Sequence, residues 1–161
     1  MMDRAQPGKV RPPMSDALAL LTRDHDEVKR MFKEYEGLKD RSSAARQALA
    51  AQICNALTVH TQVEEELFYP AVRDALDDDD LMDEADVEHE AAKNLIAEIE
   101  EMNPDESHYD AKVKVLGEEI EHHVKEEEEK MFPKVRKTRL DLKALGAEMA
   151  ERKTELEEGE D

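Results

Sequence analysis

Apolar residues recur at intervals of three and four in four long stretches, the period of an α-helix with one buried face. The first stripe is Leu18, Leu21, His25, Val28, Phe32 and Tyr35. The second is Ile53, Leu57, His60, Glu64 and Leu67, with Ala56 and Val63 beside it. The third is Met82, Ala85, His89, Ala92, Ile96 and Ile99, and the fourth is Val113, Leu116, Ile120, His123, Glu127 and Met131. A weaker fifth stripe runs through Leu142, Leu145, Met149 and Leu156. Each of the four long stripes carries a histidine in phase with its apolar residues, where a polar group needs a reason to be.

Turn and cap residues divide these stripes. Ser15 or Asp16 is suited to accept a backbone hydrogen bond at the start of the first helix, which Gly37 and the polar stretch after it close. Ser42 or Ser43 opens the second helix. Pro70 lacks an amide hydrogen and clashes with the preceding turn, so it is expected to kink or end that helix about 15 Å beyond His60. One of the four acids at 77–80 is expected to cap the third helix, which Asn103-Pro104 ends. Residues 105–107 are expected to open the fourth, where Pro133 repeats the role of Pro70. The expected fold is all-α: an up-down-up-down four-helix bundle over residues 15–137. Residues 1–14, with Pro7, Pro12 and Pro13, read as a flexible tail. Residues 138–161 read as an additional C-terminal amphipathic helix docked on the bundle, fraying from residue 157.

The chain also repeats itself, and repeats constrain the fold. His60-Thr-Gln-Val-Glu64-Glu-Glu-Leu-Phe-Tyr-Pro70-Ala-Val-Arg73 recurs as His123-Val-Lys-Glu-Glu127-Glu-Glu-Lys-Met-Phe-Pro133-Lys-Val-Arg136, with seven of fourteen positions identical. A further histidine between two acids precedes each copy: Asp24-His25-Asp26 and Glu88-His89-Glu90. The chain is a duplicated two-helix unit, and the duplicated residues are of metal-ligand type.

Composition narrows the functional classes. A formal net charge of −19 disfavours binding to nucleic acid, and an anionic membrane surface would repel the chain. No apolar run approaches the length of a membrane span. The N-terminal residues lack the apolar core of a secretory signal. Cys54 is the single cysteine, so no intramolecular disulfide forms, and the expected compartment is the cytoplasm. The acids at 77–80 lack the alternation and glycine of a calcium loop.

With 42 acids among 161 residues, a carboxylate falls four places after any histidine about a quarter of the time. One His-x-x-x-Glu therefore carries no information. The signal lies in its recurrence, in the lone histidine before each copy, and in the phase shared with the apolar stripes. His60 and Glu64, and likewise His123 and Glu127, stack one turn apart on the buried face. Two buried carboxylates would repel each other and strongly resist ionising. Cations among the six groups His25, His60, Glu64, His89, His123 and Glu127 remove that cost. Imidazole and carboxylate without thiolate suit iron, manganese or zinc. The two-fold repeat suits two ions, with two histidines capping each and the two glutamates bridging. Open positions would remain for water, dioxygen, peroxide or another small ligand. A ferritin-like arrangement needs Glu-x-x-His twice, and Glu119-x-x-His122 occurs without a repeat partner. His122 and His108 are expected at the surface. Tyr35 and Tyr69 are expected to be core or rim residues rather than redox partners, and Cys54 a small buried apolar residue.

These residues resemble the hemerythrin-like, or HHE cation-binding, family: Asp24-His25, the His60-x-x-x-Glu64 helix ending Phe-Tyr-Pro70, Glu88-His89, and the His123-x-x-x-Glu127 helix ending Met-Phe-Pro133. The resemblance covers about residues 15–137. It implies a four-helix bundle around a non-haem di-iron centre, with the six residues as ligands and Glu64 and Glu127 bridging. One departure follows. Oxygen-carrying members place a second histidine where this chain has Lys93, and their last carboxylate lies five places after its histidine, at Glu128 here. Glu127 is preferred because it matches Glu64. Glu128, Glu88, Glu90 and Tyr69 are the remaining candidates for a further position. The expected function is to bind or react with dioxygen or peroxide; the alternative is an iron or oxygen sensor, or an iron store, without turnover.

Overall fold

The computed structural model describes residues 16–159. The expected N-terminal tail, Ser15, and residues 160–161 lie outside them. Every regular element among the described residues is helical: α1 (Ala17–Glu36), α2 (Ser43–Val63), α3 (Tyr69–Ala75), α4 (Asp79–Glu101), α5 (Tyr109–Glu126), α6 (Phe132–Arg136) and α7 (Leu142–Glu158). Two short π-helical turns, Glu64–Phe68 and Glu127–Met131, join α2 to α3 and α5 to α6.

Side chains set most helix starts. Asp16, Ser42, Asp78 and Asp141 each accept the backbone N–H three residues on, at 2.9–3.2 Å. Such caps are each worth about 1 kcal/mol. The start of α5 departs from expectation. Residues 104–108 form turns, and the helix begins at Tyr109 after His108, an exposed residue at φ 77° with no side-chain cap. The polar groups expected to open the helix tie this turn to α2 instead. Ser43 Oγ donates to Asp105, and Arg46 donates to the Pro104 carbonyl at 3.2 Å and to Asp110 at 2.9 Å.

Neither Pro70 nor Pro133 ends its helix. A proline ring collides with the carbonyl four residues back. Just before each proline the backbone widens into a π turn, where the Tyr69 and Phe132 amides bond to the carbonyls five back, on Glu64 and Glu127. The extra residue advances the buried face. Phe68 and Tyr69 are therefore buried, while Leu67, expected on the stripe, is only partly so. At the C-terminus, α7 runs through 157 and 158.

α1 packs on α2, α2 on α4, α4 on α5 and α5 on α1, which closes the four-helix bundle. α7 lies across α1, α2 and the first π turn. A Cβ on Gly146 would stand 2.7 Å from the Ala17 amide nitrogen, so glycine permits α7 its close approach. The core is split in two. Leu18, Leu21, Phe68, Met82, Phe132 and Met149 belong to one cluster, and Val28, Ile53, Leu57, Ile96, Val113 and Leu116 to the other. Along every helix of the bundle a polar layer separates the two. Among the described residues, Asp24, His25, His60, Thr61, Glu64, His89, His123 and Glu127 are the buried polar side chains, and all belong to this layer.

Candidate metal centre

The duplication places one histidine on each of α1, α2, α4 and α5 at the same level, and the π turns carry the two glutamates. Glu64 is 0% and Glu127 1% exposed. The imidazoles form two edge-to-face pairs, His25 with His60 at 4.9 Å and His89 with His123 at 4.8 Å between ring centres. Each glutamate faces one histidine of each pair. Glu64 Oε1 lies 3.5 Å from His60 Nε2 and 2.9 Å from His89 Nε2. Glu127 lies 3.1 Å from His25 Nε2 and 3.4 Å from His123 Nε2. Despite these short distances, His25 Nε2, His60 Nε2, both Glu64 oxygens and Glu127 Oε1 are buried without an aligned hydrogen bond. Potential ligand atoms of His25, His60, Glu64 and Glu127 lie within 4.8 Å of one another, as do those of Glu64, His89 and His123.

The outward nitrogen of every imidazole meets a carboxylate. His60 Nδ1 lies 3.0 Å from Asp24, His123 Nδ1 2.5 Å from Glu88, His89 Nδ1 2.8 Å from Glu65, and His25 Nδ1 2.7 Å from Glu128. A carboxylate can only accept, so each Nδ1 carries the proton and donates it. In the neutral imidazole this leaves the Nε2 lone pair facing inward, the arrangement that supports histidine ligands at metal sites. The anchors follow the duplication: the acid before each lone histidine serves the histidine of the adjoining motif helix, and the acid after each motif glutamate serves the lone histidine of the other half.

Tyr69 enters the centre from the first π turn. Its hydroxyl donates to Glu127 Oε2 at 2.6 Å and lies 3.1 Å from both His89 Nε2 and His123 Nε2. In the repeat its counterpart is Phe132, which stacks on His25 instead. One hydroxyl thus breaks the two-fold likeness of the halves. Burial, and then the charges of Glu127 and Glu64, push the Tyr69 phenol well above its ordinary range, so it stays protonated.

In the metal-free centre, three of the imidazoles hold protons more tightly than usual. Burial opposes protonation of His60, but the Glu64 charge and the Asp24 hydrogen bond outweigh it and raise its pKa to about 10. His25 and His123 are raised in the same way, against burial, chiefly by Glu127. Burial raises Glu127, yet the His123 and His25 imidazoles facing it hold its carboxyl well below the usual range. Protons thus do in part what the donor set is arranged for a metal ion to do.

Among the described residues, cavities adjoin the layer. A small one of about 20 Å³ lies among the four histidines, Val28, Leu57, Ala92, Ile120 and Val124. A larger cleft of about 870 Å³ between α1 and α5 reaches His25, and Ile120 and Val124 line both.

The six sequence-predicted residues are therefore brought together. Of the further candidates, Tyr69 reaches the centre, Glu88 and Glu128 hold outward imidazole nitrogens, and Glu90 is exposed and takes no part. Lys93 turns outward to Glu65 at 2.6 Å. His122 is at the surface, Tyr35 donates to Asp110 at 2.7 Å, and Cys54 is buried, its thiol pushed up to about 12 by burial and the Glu100 charge. Sequence reasoning missed the role of Glu65 and the system of anchors. Its signal was present: an acid recurs one place before His25 and His89, and five places after His60 and His123.

The chain is similar to known proteins in sequence and in fold. The profile of the hemerythrin HHE cation binding domain matches residues 16–135. The crystal structure of a hemerythrin HHE cation binding domain-containing protein from Mycobacterium kansasii is similar at a TM-score of 0.77, with 26% identity, covering 91% of this chain and 90% of that one. A DNA nickase of Nostoc sp. (strain PCC 7120) is 30% identical over 113 residues, 70% of this chain. This chain spans 31% of that protein's length.

Proposed function

The chain belongs to the hemerythrin HHE cation binding domain family, and from that premise we propose that its six converging side chains hold two iron ions that bind or reduce dioxygen or peroxide. The observation that carries this reading is the cross-linking by the glutamates. Glu64 and Glu127 each face one histidine of each pair, with carboxylate oxygens left without hydrogen bonds. That donor set would hold two cations, with His25, His60, Glu64 and Glu127 offering donors to one and His89, His123 and Glu64 to the other. Manganese and zinc would accept the same nitrogen and oxygen donors, but zinc lacks redox chemistry. Bound iron would supply electrons and open coordination positions for a small oxidant.

The protein's own groups then set the selectivity. A cavity of about 20 Å³ among the four histidines has room for about one molecule the size of water, so it favours a very small ligand there. The α1/α5 cleft provides the approach, with Ile120 and Val124 between it and the inner cavity. The Tyr69 hydroxyl, donating to Glu127 Oε2 at 2.6 Å, would orient that carboxylate toward the bound ions.

A second reading, a sensing or storage module without turnover, draws support from the Nostoc relative, in which the matching segment is less than a third of a longer chain. DNA nicking stays with that relative, since a net charge of −19 repels a phosphate backbone. No helix among the described residues is long and apolar enough to cross a membrane. A cytoplasmic location is part of the proposal and rests on the lone buried thiol of Cys54.

The test is the optical spectrum of the iron-loaded protein during exposure to oxygen and to hydrogen peroxide, with peroxide consumption followed in parallel. Spectral change with catalytic consumption supports the first reading. Metal-dependent melting without consumption supports the module.

A further inference from the structure

Two of the four anchoring carboxylates are themselves held by a lysine, one in each half of the centre. Lys153 Nζ donates to Asp24 Oδ1 at 2.7 Å, while Asp24 Oδ2 holds His60. Lys93 Nζ donates to Glu65 Oε1 at 2.6 Å, while Glu65 Oε2 holds His89. The other two anchors, Glu88 and Glu128, have no lysine or arginine ion pair among the described residues. Lys153 lies on α7, beyond residues 16–135 that match the family. It is 29% exposed against an Asp24 side chain at 11%, whereas Lys93 is 47% exposed.

We propose that Lys153 and Lys93 are positioning residues that set the affinity and reduction potential of the centre by charge, acting through Asp24–His60 and Glu65–His89, so that α7 is a working part of the metal site. The inference rests on the reading that the six residues hold two cations. An unpaired carboxylate on Nδ1 makes its imidazole a stronger donor and adds negative charge beside the ion. A lysine on that carboxylate cancels both effects. Each lysine serves a different histidine pair, so each governs one of the two positions. The more enclosed Lys153 is less screened by solvent and has the larger effect.

The experiment compares Lys153→Met, Lys153→Arg, Lys93→Met and Arg152→Gln in the full chain. Arg152 docks the same helix by donating to Glu66 at 2.7 Å but touches no anchor. Manganese(II) titration reads affinity without redox change, and spectroelectrochemistry of the iron-loaded protein reads potential. Lys153→Met is expected to tighten one of the two manganese equivalents about tenfold. A matching preference for the oxidised state lowers the potential of one iron by about 59 mV for one electron. Lys153→Arg and Arg152→Gln should stay near wild type, and Lys93→Met should show a smaller shift on the other equivalent. Unchanged affinity and potential in Lys153→Met would overturn the proposal. So would weakened binding, which would mean that the lysine acts by packing, or an equal shift in Arg152→Gln, which would assign the effect to helix docking. A wild-type protein that binds no manganese or iron would instead sink the two-cation reading itself.

Discussion

Replacing Tyr69 with Phe removes one oxygen from the middle of the centre and little else. The ring is 3% exposed and would keep its packing against Phe68 and His89. The duplicated copy already places Phe132 at the equivalent position. The lost group is a buried donor 2.6 Å from a carboxylate whose other oxygen has no hydrogen bond. A hydrogen bond to a charged partner contributes about 1.5–3 kcal/mol, and the substitution leaves that partner buried. For a chain of this size each kcal/mol moves the melting temperature by about 2–4 °C, so the metal-free variant should melt roughly 3–12 °C lower. Cations between Glu127 and the imidazoles would occupy the lone pairs that Tyr69 vacates, so the fall should be smaller after loading. The assay is paired thermal unfolding of wild type and Tyr69→Phe, with and without manganese. A metal-free variant within about 1 °C of wild type would refute the reasoning.

Further outcomes concern pH, packing and access. In the metal-free protein His60 has a folded-state pKa raised to about 10, and its unfolded value is near 6.5. The stability it contributes is therefore complete below about pH 6.5 and is lost as pH rises towards 10. Chemical denaturation should show metal-free stability falling over that window while metal affinity rises, because ligating imidazoles must lose their protons. A flat metal-free profile would contradict this. Gly146→Ala should destabilise the protein by about 1–3 kcal/mol, since the new methyl meets the backbone of residues 16 and 17 at 2.7 Å; an unchanged denaturation midpoint would disprove that close seat for α7. Ile120→Trp should slow the reaction of the loaded protein with peroxide at unchanged metal content, measured by stopped flow. Equal rates would place the entry route elsewhere.

Much of this was legible in the chain because burial and periodicity are local signals. Met82, Ala85, His89, Ala92, Ile96 and Ile99 share one helical phase, and all six are buried. Histidines in phase with the stripes therefore had to meet in the core. Three features escaped because they depend on contacts across the fold. Pro70 looks like a terminator until the π turn before it opens space for the ring. The start of α5 yields to the demands of Arg46 and Ser43 on α2, which no local propensity encodes. Glu65 looks like one more solvated acid in a charged run, and only the packing of α2 against α4 makes it the anchor of His89. Lys153 and Asp24 are 129 positions apart, and nothing in the sequence of α7 announces their meeting.

The most direct measurement is the number of metal ions per chain, by elemental analysis of protein purified without added metal and again after anaerobic loading with ferrous iron. Two ions per loaded chain are expected, falling to substoichiometric residues in a His60→Ala, His123→Ala double variant that remains helical by circular dichroism. Two ions retained by that variant, or none in the loaded wild type, would contradict a shared cation pocket at the centre of this bundle.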